Sequence, residues 1–276
     1  MSRDTSFYYA FLVLPPAKRN AIIAVWDFCR AVDDAVDEVA SVEEASGQVA
    51  MWRTELAAIY TGAPGTRQGK HLEPHVREFG LPRVHFEELI DGVDMDLRCS
   101  RYPTFDALSE YCRRVASAVG LICLEIFGYR DQGSRRYAES LGIALQLTNI
   151  IRDIEGDLRR GRVYLPAEDL ERFGVTEGDL AAGTVTPKVA ALLRFECDRA
   201  REYFRRAAEQ LPRVDARSLV AAEIMGAIYF EILRRIERSG YDVLSQRIRV
   251  PRAYRAVLAL ATWARTLAGL RSPWLR

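Results

Sequence analysis

From residue 17 to residue 270 apolar residues return every three or four positions, and short stretches bearing Gly or Pro and one long segment break the pattern. Period-two alternation, which a half-buried strand needs, is nearly absent. A chain patterned this way buries its apolar side by packing helix on helix, so the reading is all-α: a helical bundle forming one domain over residues 1–276. The spacing predicts helices over 17–39, 44–60, 84–97, 105–127, 135–157, 188–210, 217–239 and 251–270, with breaks at 61–70, 99–104 and 128–134. One long irregular segment, 156–187, reads as a lid or binding loop carrying a short helix of its own.

Composition removes several function classes. With 49% hydrophobic residues in 276 the chain can bury a substantial core. Lys+Arg at 39 against Asp+Glu at 38 leaves a formal charge of +1, so no bulk field draws it to nucleic acid, and any charge chemistry is local. The five cysteines are odd in number and include no C-x-x-C pair, which supports neither a disulfide framework nor a zinc site and points to a reducing, cytoplasmic compartment. The apolar patch near the N-terminus runs into Pro15-Pro16 without a basic leader or cleavage site. The longest C-terminal apolar run, "AVLALATWA" (256–264), is about half of the roughly 20 residues that cross a bilayer. The protein is therefore read as soluble, with contact at the surface of the inner membrane face as the open alternative.

Against this apolar background the stretch "FCRAVDDAVDE" (28–38) stands out. At 100° per residue, Val25, Cys29, Val32 and Val36 form an apolar stripe, and Trp26, Arg30, Asp33 and Asp37 form a second one roughly a quarter turn away. Asp27, Asp34 and Glu38 point elsewhere, to water. Asp33 and Asp37, with Cβ atoms about 5–6 Å apart, repel one another beside the core edge. For one such pair a solvated face with Arg30 as counter-ion is the ordinary explanation. The stretch "QLTNIIRDIEGD" (146–157), however, repeats the device: Gln146, Asn149, Asp153 and Asp157 share a stripe next to the apolar Leu147, Ile151, Ile154 and Leu158. On two facing helices these carboxylates would make an oxygen-rich mouth above an apolar interior. That chemistry suits Mg²⁺ bridging carboxylates to substrate phosphates, with Arg30, Arg152, Arg159, Arg160 and Arg162 available to phosphate oxygens.

Other site chemistries fit less well. No Glu-x-x-His pairs occur for a di-iron bundle. His71 and His75 in "HLEPH", with Pro74 between them and Gly69 just before, read as loop histidines, and His85 is alone. The chain contains no P-loop, no G-x-G-x-x-G and no G-x-S-x-G.

The segments "SFYYAFLVLPPAKRNAIIAVWDFCRAVDDAVDE", "YCRRVASAVG" and "LGIALQLTNIIRDIEGDLRRGRVYLP" together resemble the squalene/phytoene synthase family, whose members join two prenyl diphosphates head to head. The resemblance runs from Ser6 to Val250, and the second acidic motif with its "RVYLP" tail is its most specific part. Within the family the likeness is greatest to the bacterial branch that makes presqualene diphosphate for hopanoid pathways. The resemblance implies an isoprenoid synthase-type bundle around a central cavity, with Asp33, Asp37, Asp153, Asp157 and Asn149 holding Mg²⁺, or Mn²⁺ in its place. It implies diphosphate binding by Ser6, Arg30, Gln146, Arg152, Arg162, Tyr164 and Arg247, and places Tyr111 and Tyr229 among the aromatic residues of the cavity. The expected reaction joins two farnesyl diphosphates and stops at presqualene diphosphate without NADPH. The alternatives are phytoene synthesis from C20 diphosphates, a complete NADPH-dependent squalene synthase, and a non-catalytic helical adaptor. Two departures from the family pattern are Trp26, where many members have Tyr, and Arg113-Arg114, where relatives often place Tyr.

Overall fold

Hydroxyl side chains start many of the helices. Ser41, Thr66, Thr104, Thr176 and Thr186 each accept a hydrogen bond from a backbone N–H of the first turn, satisfying a donor that the helix itself cannot. The computed structural model describes residues 7–37, 41–270, 272 and 274, excluding the side chains of residues 7, 8, 36, 37 and 42. Its helices are α1 (Phe7–Phe11), α2 (Pro16–Asp37), α3 (Val42–Thr61), α4 (Arg67–Phe79), α5 (Arg83–Arg98), α6 (Phe105–Cys112), α7 (Ala118–Phe127), α8 (Gly133–Arg159), α9 (Ala167–Arg172), α10 (Glu177–Ala181), α11 (Pro187–Gln210), α12 (Val220–Arg238) and α13 (Arg252–Leu267). Among the described residues there is no strand, only an isolated bridge between Arg101 and Val163. The fold is thus the all-α bundle that the periodicity predicts.

The long helix α8 runs through the middle, packed along α11 and against α7, α12 and the turn before α7. That turn, Arg113–Ser117, is π-helical and joins α6 to α7 into the single 105–127 rod expected from the spacing. Its widened backbone sits against Gly142 of α8, where a Cβ would lie 2.7 Å from the Ser117 Cα. Only glycine admits that approach, and Ser117 then donates to the Glu139 carbonyl at 2.8 Å. π-helical turns recur at functional sites, and Val115 and Ala116 on this one line the central cavity.

Two expectations are corrected. The stretch read as a break with loop histidines holds α4, which carries both His71 and His75. Pro74 removes one backbone bond within it, an expense offset by burial of Leu72 and Val76. Gly69 is no breaker either: a Cβ there would meet Glu55 Oε1 at 1.9 Å, and the Glu55 carboxylate caps the helix start by accepting from the N–H groups of Gly65 and Thr66. The second correction concerns 156–187, whose first residues prolong α8 and which carries two short helices, α9 and α10, instead of one. The segment is strapped to the α5–α6 connection. Arg101 grips Glu177 at 2.5 and 2.9 Å, Val163 N–H donates to the Ser100 carbonyl at 2.9 Å, and Arg199 of α11 holds Asp169 at 2.8 Å.

Candidate active site

A cavity of about 950 Å³ opens between α2, α5, α7, α8 and α12. Its inner wall is apolar, with Ile22, Val25, Val93, Val119, Leu141 and Met225 among the lining side chains. Its rim is charged. Arg30, Asp33 and Asp34 come from the end of α2, Gln146, Asn149, Arg152, Asp153 and Asp157 from α8, Arg160, Arg162 and Tyr164 from the strap, and Arg247 and Arg249 from the stretch before α13.

Of the residues singled out in the sequence, the structure brings Arg30, Asp33, Tyr111, Gln146, Asn149, Arg152, Asp153, Asp157, Arg162, Tyr164, Tyr229 and Arg247 to this one cavity. Ser6 and the Asp37 side chain lie outside what is described. One reading of the α2 face is corrected: Asp34, expected to face water, borders the cavity and pairs with Arg30 at 3.4 Å. The last turns of α2 meet the opening edge-on, so residues 100° apart both reach it. Arg113 and Arg114 face away from the cavity, paired with Glu110 at 2.7 and 2.8 Å.

The electrostatics differ from side chain to side chain along α8. Asp153, half-buried, is hydrogen-bonded by the Arg152 guanidinium and by Arg247 Nε at 3.2 Å. Burial works to raise its pKa, but the two guanidiniums outweigh it and hold the carboxyl below the ordinary range. One turn on, burial and then the Asp153 charge push Asp157 up to about 7, against the pull of Arg160 and Arg162. Asn149 contributes a buried Oδ1 with no hydrogen-bond partner, its amide N–H₂ already donating to Gln146 at 3.3 Å. Among the described residues no three carboxylate, histidine or cysteine groups form a ready-made cage. The donor set nevertheless fits a hard cation of the Mg²⁺ kind, which takes one or two carboxylates and completes its shell with water and phosphate. An orphan amide oxygen and two mutually repelling carboxylates on one stripe are the groups such a cation would satisfy.

Asp96 of α5 was not singled out in the sequence. It lines the cavity and accepts from the hydroxyls of Tyr111 and Tyr164, both at 2.9 Å. The rings of Tyr102, Tyr111 and Tyr164 stack in a group with centroids 5.2–5.9 Å apart. Burial first and the Asp96 charge second push all three phenols well above their usual pKa, so they stay protonated, and Tyr111 and Tyr164 keep donating. A signal for Asp96 did exist: Leu89, Val93 and Asp96 fall at i, i+4 and i+7, a core stripe interrupted by a carboxylate, as at Asp33.

Residues 1–255 match the family described as squalene/phytoene synthase. A presqualene diphosphate synthase from Rhodopseudomonas palustris is 38% identical over 260 residues, covering 93% of this chain and 92% of that protein. A 15-cis-phytoene synthase from Synechococcus elongatus is 37% identical over 260 residues, covering 89% of this chain and 84% of that one. Among solved structures, a dehydrosqualene synthase in complex with a ligand superposes with a TM-score of 0.87 at 27% identity, covering 96% of this chain and 93% of the other. A squalene synthase from Alicyclobacillus acidocaldarius superposes with a TM-score of 0.76 at 33% identity, covering 86% and 89%. With the match spanning most of its length and its charged-rim cavity built from the motif residues, the chain belongs to the squalene/phytoene synthase family.

Proposed function

We propose that the chain is a prenyltransferase that condenses two farnesyl diphosphates head to head into presqualene diphosphate, releases one diphosphate and stops there without NADPH. The observation that carries this reading is the two-sided cavity, with guanidiniums and carboxylates at the rim and an apolar, aromatic wall behind. An amphiphile with a diphosphate head and a long apolar chain fits such a space. Similarity to the R. palustris presqualene diphosphate synthase supports the choice of substrate and product.

Asp33, Asp37, Asn149, Asp153 and Asp157 would hold Mg²⁺, or Mn²⁺, which when bound draws negative charge off the departing diphosphate. Arg152, Arg162 and Arg247, with Ser6, Arg30, Gln146 and Tyr164, bind phosphate oxygens. Arg152 and Arg247 sit on Asp153, so they are already at the rim and trade carboxylate for phosphate when substrate arrives. The C–O bond of one substrate breaks with its electron pair leaving on diphosphate. The double bond of the second substrate attacks the allylic carbon, and closure of the cyclopropane releases a proton. The ring of Tyr111 and the Tyr229 side chain border the space where the cation would form, and the apolar wall keeps water from it.

Phytoene synthesis from C20 diphosphates is the second reading, favoured by the S. elongatus relative at nearly equal identity. Incubation of the purified protein with Mg²⁺ and either C15 or C20 diphosphate, with and without NADPH, followed by mass spectrometry of the lipid, decides. Presqualene diphosphate from C15 substrate is the expected product. Faster phytoene formation from C20 substrate would favour the second reading, squalene appearing only with NADPH would indicate a complete squalene synthase, and no diphosphate release under any condition would indicate an adaptor.

A further inference from the structure

Helix α13 carries its polarity inside out. The side chains it turns into the protein are Arg255, Ala259, Thr262 and Thr266, all buried. Those it turns to solvent include Val257, Leu260, Trp263 and Leu267, which are 40–65% exposed. A helix that only covered a core would place them the other way round. The exposed residues recur at three- and four-residue spacing, so they form one stripe along a helix about 24 Å long. Leu270 beyond its end and Leu12 after α1, the helix packed beside α13, are exposed as well.

The stretch of chain that carries the stripe has charge of one sign. From residue 243 to 276 the chain has seven arginines and no acidic residue, whereas the whole molecule has a formal charge of only +1. Arg249 and Arg252 are exposed at the start of α13. At its other end the exposed Arg217 donates to the Leu267 carbonyl at 3.3 Å.

We propose that this face of α13 seats the protein on an anionic bilayer, the helix lying in the plane of the surface with Leu260 and Trp263 in the acyl boundary and the arginines among lipid phosphates. No helix among the described residues is long and apolar enough to span the membrane, so the contact is one of lying on it. A second copy of the chain fits less well, because a self-complementary contact would bring the arginines of both copies together. On its inner side the same helix contributes Arg255 to the cavity wall. The bilayer would therefore lie about one helix diameter, roughly 10 Å, from the cavity, a short path for a product with long apolar chains. That last consequence rests on the prenyltransferase reading, but the lipid contact does not.

Flotation of the full chain with vesicles, in the absence of substrate, tests the contact. The wild type should float with vesicles containing phosphatidylglycerol, and neither with pure phosphatidylcholine nor at high salt. The Leu260→Glu/Trp263→Glu variant should lose roughly tenfold or more of the bound fraction with its circular dichroism unchanged, and Arg217→Glu/Arg252→Glu should lose the preference for anionic lipid. Undiminished flotation of either double variant, equal binding to neutral vesicles, or no binding by the wild type would overturn the proposal. So would a wild-type dimer in sedimentation that Leu260→Glu dissociates, since the stripe would then belong to a second copy.

Discussion

The D-x-x-x-D motif of α2 and that of α8 are one spacing in two settings. On α2, Asp33 is exposed and Arg30 leans to Asp34 at 3.4 Å. On α8, Asp153 and Asp157 are half-buried, one fixed by Arg152 and Arg247 and the other pushed up to about 7 by burial and by its neighbour's charge. Spacing places carboxylates on a common stripe, but burial and the residues arriving from other helices decide how each behaves. The α8 motif is already charge-organised, whereas Asp33 of the α2 motif stands exposed at the rim. The α8 side is therefore expected to set the position of a diphosphate, and the α2 side to close a cation against it.

Neutralising each motif in turn tests that division. Asp153→Asn should cost about a hundredfold or more in turnover, the loss typical of removing one group that stabilises developing charge, because it also frees Arg152 and Arg247 from their anchor. Asp33→Asn should cost a similar factor but be partly restored by raised Mg²⁺, since Asp33 is exposed whereas Asp153 is held between two guanidiniums. Steady-state rates against Mg²⁺ concentration separate the two, and wild-type rates in both variants would remove the metal assignment.

Burial can also be measured without a second carboxylate nearby. Glu223 of α12 is buried, accepting from Tyr137 at 2.8 Å and Ser272 at 2.6 Å, and burial raises it to about 7 despite those bonds. The unfolded chain releases this proton near 4.5 and the folded one near 7. Rising pH therefore favours unfolding between those values and has no further effect from this group above them. Glu223→Gln should remove that slope and relieve a penalty of about 1–3 kcal/mol at pH 8, read from thermal melts at pH 5 and pH 8. An unchanged slope would show that burial alone does not raise carboxyls in this core.

Asp96 is a further carboxylate at the cavity, with both oxygens accepting from Tyr111 and Tyr164. Asp96→Asn should lower turnover roughly tenfold by loosening the two phenols, within the range for altered supporting residues, and leave the Mg²⁺ dependence as it was. A changed metal requirement would make Asp96 a ligand and redraw the comparison. The smallest effect is expected at Arg113, whose partners Glu110 and Glu88 lie on the outer side. Arg113→Tyr should keep turnover within about twofold and change stability by less than about 1 kcal/mol, as for other exposed pairs. A large loss would show that the departure from the family pattern at this position matters to catalysis.

Much of the molecule was legible in its residue order because helical periodicity is a local property. The 105–127 rod, both acidic motifs and the extent of α8 follow from spacing read within a few turns. α4 did not, because Pro74 and Gly69 look like breakers until Glu55 is seen to fill the space a side chain at 69 would take. Asp96 stayed hidden among Asp91 and Asp94 because the two phenols that give it a role come from residues 111 and 164.

By itself the sequence determined that the chain is a helical bundle, that two helices carry paired carboxylates beside apolar stripes, and that arginines follow the second pair, since each of these depends on neighbours within about two turns. Only the tertiary structure decided that these features meet at one cavity, that Arg247 reaches across 94 residues to Asp153, that Arg113 and Arg114 face outward, and that α13 leaves its apolar side in water. Those outcomes depend on which helix packs against which. Burial, and with it the charge state and hydrogen-bond partners of each side chain, exists only once distant parts of the chain are in contact.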